Sequence, residues 1–194
     1  MKEHRHFIIH KPFGFLSQFI NNQTKRMKKM LGELHDFPEG TMAIGRLDVK
    51  SEGLLLLTTD GKVSDYITTR GKVEKEYYVQ VDGTINSTEI EQLQKGVKIG
   101  IKGEKYLTKP CKVKPIGTPN LPERTMRIRD DRHGPTSWIS ITLKEGKYRQ
   151  VRKMTSAVGF PTLRLVRVRI GNILLNDLKS GGVVEVENLM EMVK

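Results

Sequence analysis

The chain has 194 residues and a formal charge of +12, from 34 Lys and Arg against 22 Asp and Glu. That length buries a substantial core as one large domain or two small lobes, and that charge favours an anionic partner, nucleic acid first. A single cysteine excludes an intrachain disulfide and a cysteine-cluster zinc centre, and no apolar stretch approaches the ~20 residues of a membrane span.

The N-terminal residues have no signal-peptide core behind them, so a cytoplasmic location is expected. Residues 7–10, running into Lys11-Pro12-Phe13-Gly14, predict a strand and a turn. Residues 15–20 predict a second short strand. Residues 21–29 are polar and then basic, with Lys25, Arg26, Lys28 and Lys29 crowded together; a solvated loop and a loop touching phosphates are equally open. The run Leu54 to Leu57 predicts a buried strand or helix start. Residues 63–69 predict a short helix with Val63, Tyr66 and Ile67 on one face, and residues 75–81 predict a strand. A further helix is expected over residues 88–95, where Asn86 and Glu89 have capping-box spacing, Ile90 and Leu93 are apolar and Gly96 suits the end.

Residues 97–143 read as β-rich, with Cys111 a small half-buried side chain and a Pro/Gly loop over 117–122. Arg127, Arg129, Asp130, Asp131 and Arg132 lead into a Gly134-Pro135 turn. Over residues 147–158 a helix is predicted, with Val151, Met154 and Val158 on one face and Arg149, Arg152 and Lys153 on the other. Gly159 and Pro161 stop it. Strands follow at 163–170 and 183–186, then a helical tail. Many strands with few, segregated helices argue for α+β with a mainly antiparallel sheet.

Asp48 has the most informative setting, between Arg46 and Lys50 and just ahead of the leucine run. An acid held rigidly in a positive surface suits chemistry on an anionic polymer; taken alone, its default explanation is a surface salt bridge. The histidines are scattered without ligand spacing, so no metal site is expected. Glu52 reads as structural, and no phosphate-cradling loop or dinucleotide fingerprint occurs.

Four segments stand in order along the chain: Lys11 to Gly14, Gly45 to Thr58, Lys75 to Tyr77, and Glu145 to Arg152. Together they resemble the pseudouridine synthases, in the ribosomal branch that modifies rRNA uridines, and most of all the large-subunit (23S) enzymes. The resemblance implies a mixed, mostly antiparallel sheet flanked by helices, with two lobes, roughly 1–75 and 76–194, around a basic cleft. Many ribosomal members begin with a small separate RNA-binding domain; this chain departs from that pattern, and a single catalytic domain without it is expected. It places Asp48 on the catalytic aspartate and Arg152 on the basic residue that pairs with it. Tyr77 falls on the active-site tyrosine, with Tyr78 a rival, and Leu165 lines the uracil pocket, with Leu163 a rival. Arg46 matches the arginine that fills the space of the flipped nucleotide. Arg149, Lys153 and Arg167, together with Lys50, Arg164 and Arg169, are expected to contact substrate phosphates. One departure is Val49-Lys50, where the family often has a polar pair.

These roles have physical reasons. A uridine in folded RNA hides its glycosidic bond and must be extruded, at a cost of a few kcal/mol, and stacking on an aromatic ring returns ~1–3 kcal/mol. A nearby guanidinium favours an ionised carboxylate and orients it. The carboxylate then either attacks C1′ or removes the C2′ proton, and the sequence leaves both open. The expected partner is rRNA, free or in an assembling large subunit, acted on by a monomer without metal or organic cofactor and away from membranes. The rival reading is a non-catalytic RNA-binding or ribosome-assembly protein of the same fold; a metal-dependent nuclease would need clustered acids.

Overall fold

The computed structural model describes residues 3–20, 28–70, 72–124, 126, 128 and 131–194. Lys25, Arg26, Arg127, Arg129 and Asp130 lie outside the described residues. The chain divides into two units, Met1–Val73 with Arg167–Lys194, and Glu74–Val166. Residues 167–194 thus fold with the first unit, which corrects the expected second lobe of 76–194. The cause is long-range pairing: the last strand runs antiparallel beside the first, with Phe7 opposite Glu185.

The first unit begins with β1 (His6–Lys11), β2 (Met42–Ile44), β3 (Glu52–Thr58) and helix α1 (Gly61–Asp65), which runs into a wider helical turn at Tyr66–Arg70. The leucine run is the middle of β3, and every position of that strand is buried. β1 and β2 both pair antiparallel with it, aligning Ile9 with Leu55 and Ile44 with Leu56. Side chains alternate across a strand, so Leu55 and Leu57 share one face, in a cluster with Phe7, Ile9 and Leu31. Phe37 closes that cluster, its ring edge-on to Phe7 at 5.2 Å and to Phe19 at 5.5 Å. Leu54 and Leu56 are equally buried on the opposite face. Each such leucine contributes about 1.5–3 kcal/mol.

No second strand forms at residues 15–20. Phe15 makes an isolated bridge to Lys29, and its carbonyl accepts a hydrogen bond from Lys11 Nζ at 2.7 Å. The backbone there serves a loop, so the apolar pattern has no sheet to join.

The second unit runs through β4 (Lys75–Asp82), α2 (Ser87–Lys95), β5 (Lys98–Ile101), β6 (Glu104–Leu107), β7 (Lys112–Ile116), β8 (Thr136–Leu143) and α3 (Gln150–Ala157). Strand β9 (Thr162–Ile170) leads back into the first unit, where β10 (Ile173–Leu174), β11 (Val183–Val186) and α4 (Leu189–Val193) complete the chain. β8 pairs antiparallel with both β4 and β7. The Asn86 side chain caps α2 by accepting from Thr88 N at 2.9 Å, and Glu89 reaches back to Asn86 N. Gly96 ends the helix at φ 102°, and a Cβ there would stand 2.3 Å from the Thr108 carbonyl oxygen, so only glycine fits.

Helix α3 starts later than the sequence predicts. Arg149 precedes it with a left-handed backbone, φ 51°, because Gln150 folds the preceding turn onto itself, accepting from Lys147 N at 2.9 Å. Val151 and Met154 then face the core as expected. Mostly antiparallel strands with short flanking helices give the expected α+β class. Among the described residues, no helix is long and apolar enough to cross a membrane.

Candidate active site

Asp48 lies in the turn that joins β2 to β3, and the segment after the Lys11-Pro12-Phe13-Gly14 turn holds it from both sides. The Ser17 hydroxyl donates to the Leu47 carbonyl at 2.8 Å and accepts from Leu47 N at 3.0 Å. Gly14 N donates to the Val49 carbonyl at 2.8 Å, and Ser51 N to the Asp48 carbonyl at 2.9 Å. The Ser51 hydroxyl donates to the Asp48 carboxylate itself. Residues 47, 48 and 49 are therefore each fixed by a separate bond, each worth about 0.5–1.5 kcal/mol. The leucines behind them anchor the turn in the core, while Arg46 and Lys50 are exposed beside it. A carboxylate locked in this way loses little freedom when it reacts, the condition for efficient positioning catalysis.

Beneath this turn lies a group of buried charges. Lys11 has 0% exposure, and its Nζ donates to the Pro12 carbonyl at 2.9 Å and the Phe15 carbonyl at 2.7 Å. Burial holds its pKa down to about 7, against the attraction of Asp48 and Glu52, while Arg167 pushes the same way as burial. Glu52 is also buried. Arg167 is 2% exposed and its Nε donates to the Leu54 carbonyl at 2.7 Å.

The second unit holds the other expected site residues. Tyr77 on β4 is 9% exposed and stands opposite Ile141 of β8; Tyr78, one residue on, points to the other face. Leu165 on β9 is buried, and Leu163 is half-buried on the same face. Arg152 sits in the first turn of α3, its guanidinium donating to the Thr162 carbonyl at 3.4 Å. Arg149 is exposed ahead of the helix, and Lys153 Nζ donates to the Gly100 carbonyl at 2.5 Å. The turn before α3 is braced by Glu145, which accepts from Tyr106 Oη at 2.6 Å, Lys109 N at 3.0 Å and Gln150 Nε2 at 2.5 Å. Burial works to raise the Glu145 pKa, but these three hydrogen bonds outweigh it and hold the carboxyl below its usual range.

Two expected phosphate contacts are corrected by the structure. Arg167 and Arg164 are buried, the first bonded to the Leu54 carbonyl and the second to the Pro122 carbonyl at 2.7 Å. Simple alternation along β9 would point one set of side chains to solvent. Here residues 164–167 are all buried, so these cations serve the scaffold. Among the described residues, no group of three or more His, Cys, Asp or Glu side chains is placed to hold a metal ion. The Cys111 thiol is half-buried and bonded to the Leu93 carbonyl, with its pKa pushed up to about 11 by burial.

Residues 5–157 match the family described as RNA pseudouridylate synthase. The chain belongs to that family. Ribosomal large subunit pseudouridine synthase E of Vibrio parahaemolyticus serotype O3:K6 is 40% identical over 181 residues, which is 93% of this chain and 73% of that protein. The protein of the same name from Xanthomonas campestris pv. campestris is 41% identical over 176 residues, 90% of this chain and 91% of its own. A crystal structure of a pseudouridylate synthase aligns with a TM-score of 0.75 at 28% identity, covering 99% of this chain and 74% of that one. The chain is accordingly an isomerase.

Three residues of this synthase escaped the sequence reading as individual actors: Lys11, Ser17 and Glu145. Lys11 and Glu145 stood inside quoted motifs without roles. A lysine next to Pro-Phe-Gly at the end of an apolar strand was the available signal for burial. Ser17 carried none, because its partner, Leu47, lies 30 residues away.

Proposed function

We propose that this synthase converts a specific uridine of large-subunit rRNA to pseudouridine, with Asp48 as the catalytic carboxylate. The observation that carries the assignment is the locked turn: backbone bonds fix Leu47, Asp48 and Val49, and Ser51 orients the carboxylate. In the reaction the N1–C1′ bond breaks, the freed uracil turns, C5 bonds to C1′, and the C5 proton is lost while N1 gains one. Composition is unchanged, so no redox partner is required. Asp48 acts at the sugar, either by attack on C1′ or by removing the C2′ proton.

Tyr77 packs against the target base, Leu165 lines the pocket for it, and Arg152 is a basic residue of the active site. Arg46 fills the space left by the extruded nucleotide, and Arg149 contacts phosphates, whereas the Lys153 ammonium is held by the Gly100 carbonyl. Large-subunit rRNA is favoured as substrate because the relatives named for it align over most of their own lengths as well as this chain's. We place the enzyme in the cytoplasm, acting as a monomer on free rRNA or on an assembling subunit.

The test is tritium release from large-subunit rRNA transcripts carrying 5-tritiated uridine, since loss of the C5 proton accompanies each turnover. Wild-type protein should release it in the presence of a chelator. Absence of release from naked RNA and from partly assembled subunits alike would refute the assignment.

A further inference from the structure

The turn ahead of α3 carries an aromatic ring that the reaction above does not use. Tyr148 is 71% exposed. A single exposed tyrosine is ordinary on a protein surface. This one differs in how it is held and in what surrounds it. Lys153 Nζ lies 5.1 Å from the ring centroid, and the same ammonium is pinned to the Gly100 carbonyl of β5 at 2.5 Å. The backbone beneath the ring is fixed by Glu145 and Gln150, so the ring stands on a braced turn. One position earlier, Lys147 Nζ caps the neighbouring Tyr106 ring at 4.9 Å, and the Tyr106 hydroxyl is bound by Glu145. Lys147 and Arg149 flank Tyr148 and are both exposed, and Lys105 faces Gly100 across the β5–β6 hairpin. That hairpin turns through Lys102 and Gly103, both with positive φ, 50° and 88°.

We infer that Tyr148 is a stacking platform for an unpaired RNA base outside the target nucleotide, with Lys147 and Arg149 neutralising the phosphates on either side. The inference rests on the reading of the chain as an rRNA-modifying enzyme. One side of the ring is taken by a fixed cation, which secures its orientation and leaves the other side to a base. Stacking on an aromatic face tolerates any base, and adjacent cations track the backbone, the combination by which single-stranded RNA is bound. A duplex, whose bases are already stacked, gains nothing from such a ring.

The experiment compares wild type, Tyr148→Ala and Tyr148→Phe for binding to a labelled hairpin RNA with an unpaired loop and to a blunt duplex of equal length. Tyr148→Ala should bind the hairpin about tenfold more weakly, with duplex binding unchanged, and Tyr148→Phe should bind both like wild type. The platform is overturned if Tyr148→Ala binds the hairpin as well as wild type, if Tyr148→Phe loses as much as Tyr148→Ala, or if the duplex loses equally. Pseudouridine formation by wild type separates this inference from the enzymatic one. Product with an unaffected Tyr148→Ala variant removes the platform alone; selective loss of hairpin binding without product from wild type removes the enzymatic assignment and keeps the platform.

Discussion

In the first unit, the cations around the Asp48 turn that matter structurally are out of solvent: Lys11 and Arg167 are buried, and both donate to backbone carbonyls. In the second, Lys147 and Arg149 are exposed around an exposed tyrosine, on a turn that Glu145 fixes from beneath. The same side-chain types thus do opposite work. Buried charge is costly unless bonded, and where it is bonded it enforces one geometry. Exposed charge contributes little to stability but sets the attraction for a polyanion. A net charge of +12 therefore overstates the RNA-facing surface, because part of it is scaffold.

Substitutions on either side break or sharpen this contrast. Asp48→Asn keeps the bond from Ser51 and the shape of the turn but removes the carboxylate proposed to react. Single-turnover pseudouridine formation should fall by at least about a thousandfold, while melting temperature and RNA affinity stay at wild-type values. Lys11→Met should cost about 3 kcal/mol in chemical denaturation near pH 7, because two part-buried carbonyls lose their donor.

That loss should depend on pH in a defined direction. The folded-state pKa of Lys11, about 7, lies below its unfolded value, so between about pH 7 and 10.5 the unfolded chain binds more protons. Wild-type stability should therefore rise with pH across that window, by about 1 kcal/mol per unit relative to Lys11→Met, and the gap should level off as pH falls below 7. A gap between the two proteins that stays constant from pH 7 to 9 would mean that Lys11 is held charged.

Ser17→Ala removes both bonds to Leu47 and should cost about 1 kcal/mol of stability. Its kcat should fall about tenfold with KM unchanged, because the turn loosens without touching RNA. Smallest of all, Lys147→Ala should leave stability within about 0.5 kcal/mol and reduce the slope of log affinity against log salt by about 0.7, one single-strand phosphate contact. Equal stability losses in Lys11→Met and Lys147→Ala would erase the distinction between scaffold and surface cations.

Much of this was legible in the residues. The capping pair Asn86 and Glu89 and the buried strand at Leu54 to Leu57 followed from local pattern, because caps and burial periodicity act over a few residues. What stayed hidden depends on distant partners. The return of residues 167–194 to the first unit rests on pairing between positions such as Ile8 and Val184. Arg167 resembled a solvent-facing strand residue until its neighbours covered it. The late start of α3 comes from Gln150 competing for Lys147 N and Glu145, side-chain chemistry that helical periodicity does not register. The motif order led to Asp48, but the device that holds it, Ser17 and the turn after Lys11, became visible only in three dimensions.

We propose that Asp48 isomerises a uridine of large-subunit rRNA. Pseudouridine mapping of rRNA from cells with the gene deleted and then restored tests it most directly. One large-subunit position should lose its pseudouridine on deletion, regain it with the wild-type gene and fail to regain it with Asp48→Asn. Unchanged modification on deletion, or restoration by Asp48→Asn, would contradict it.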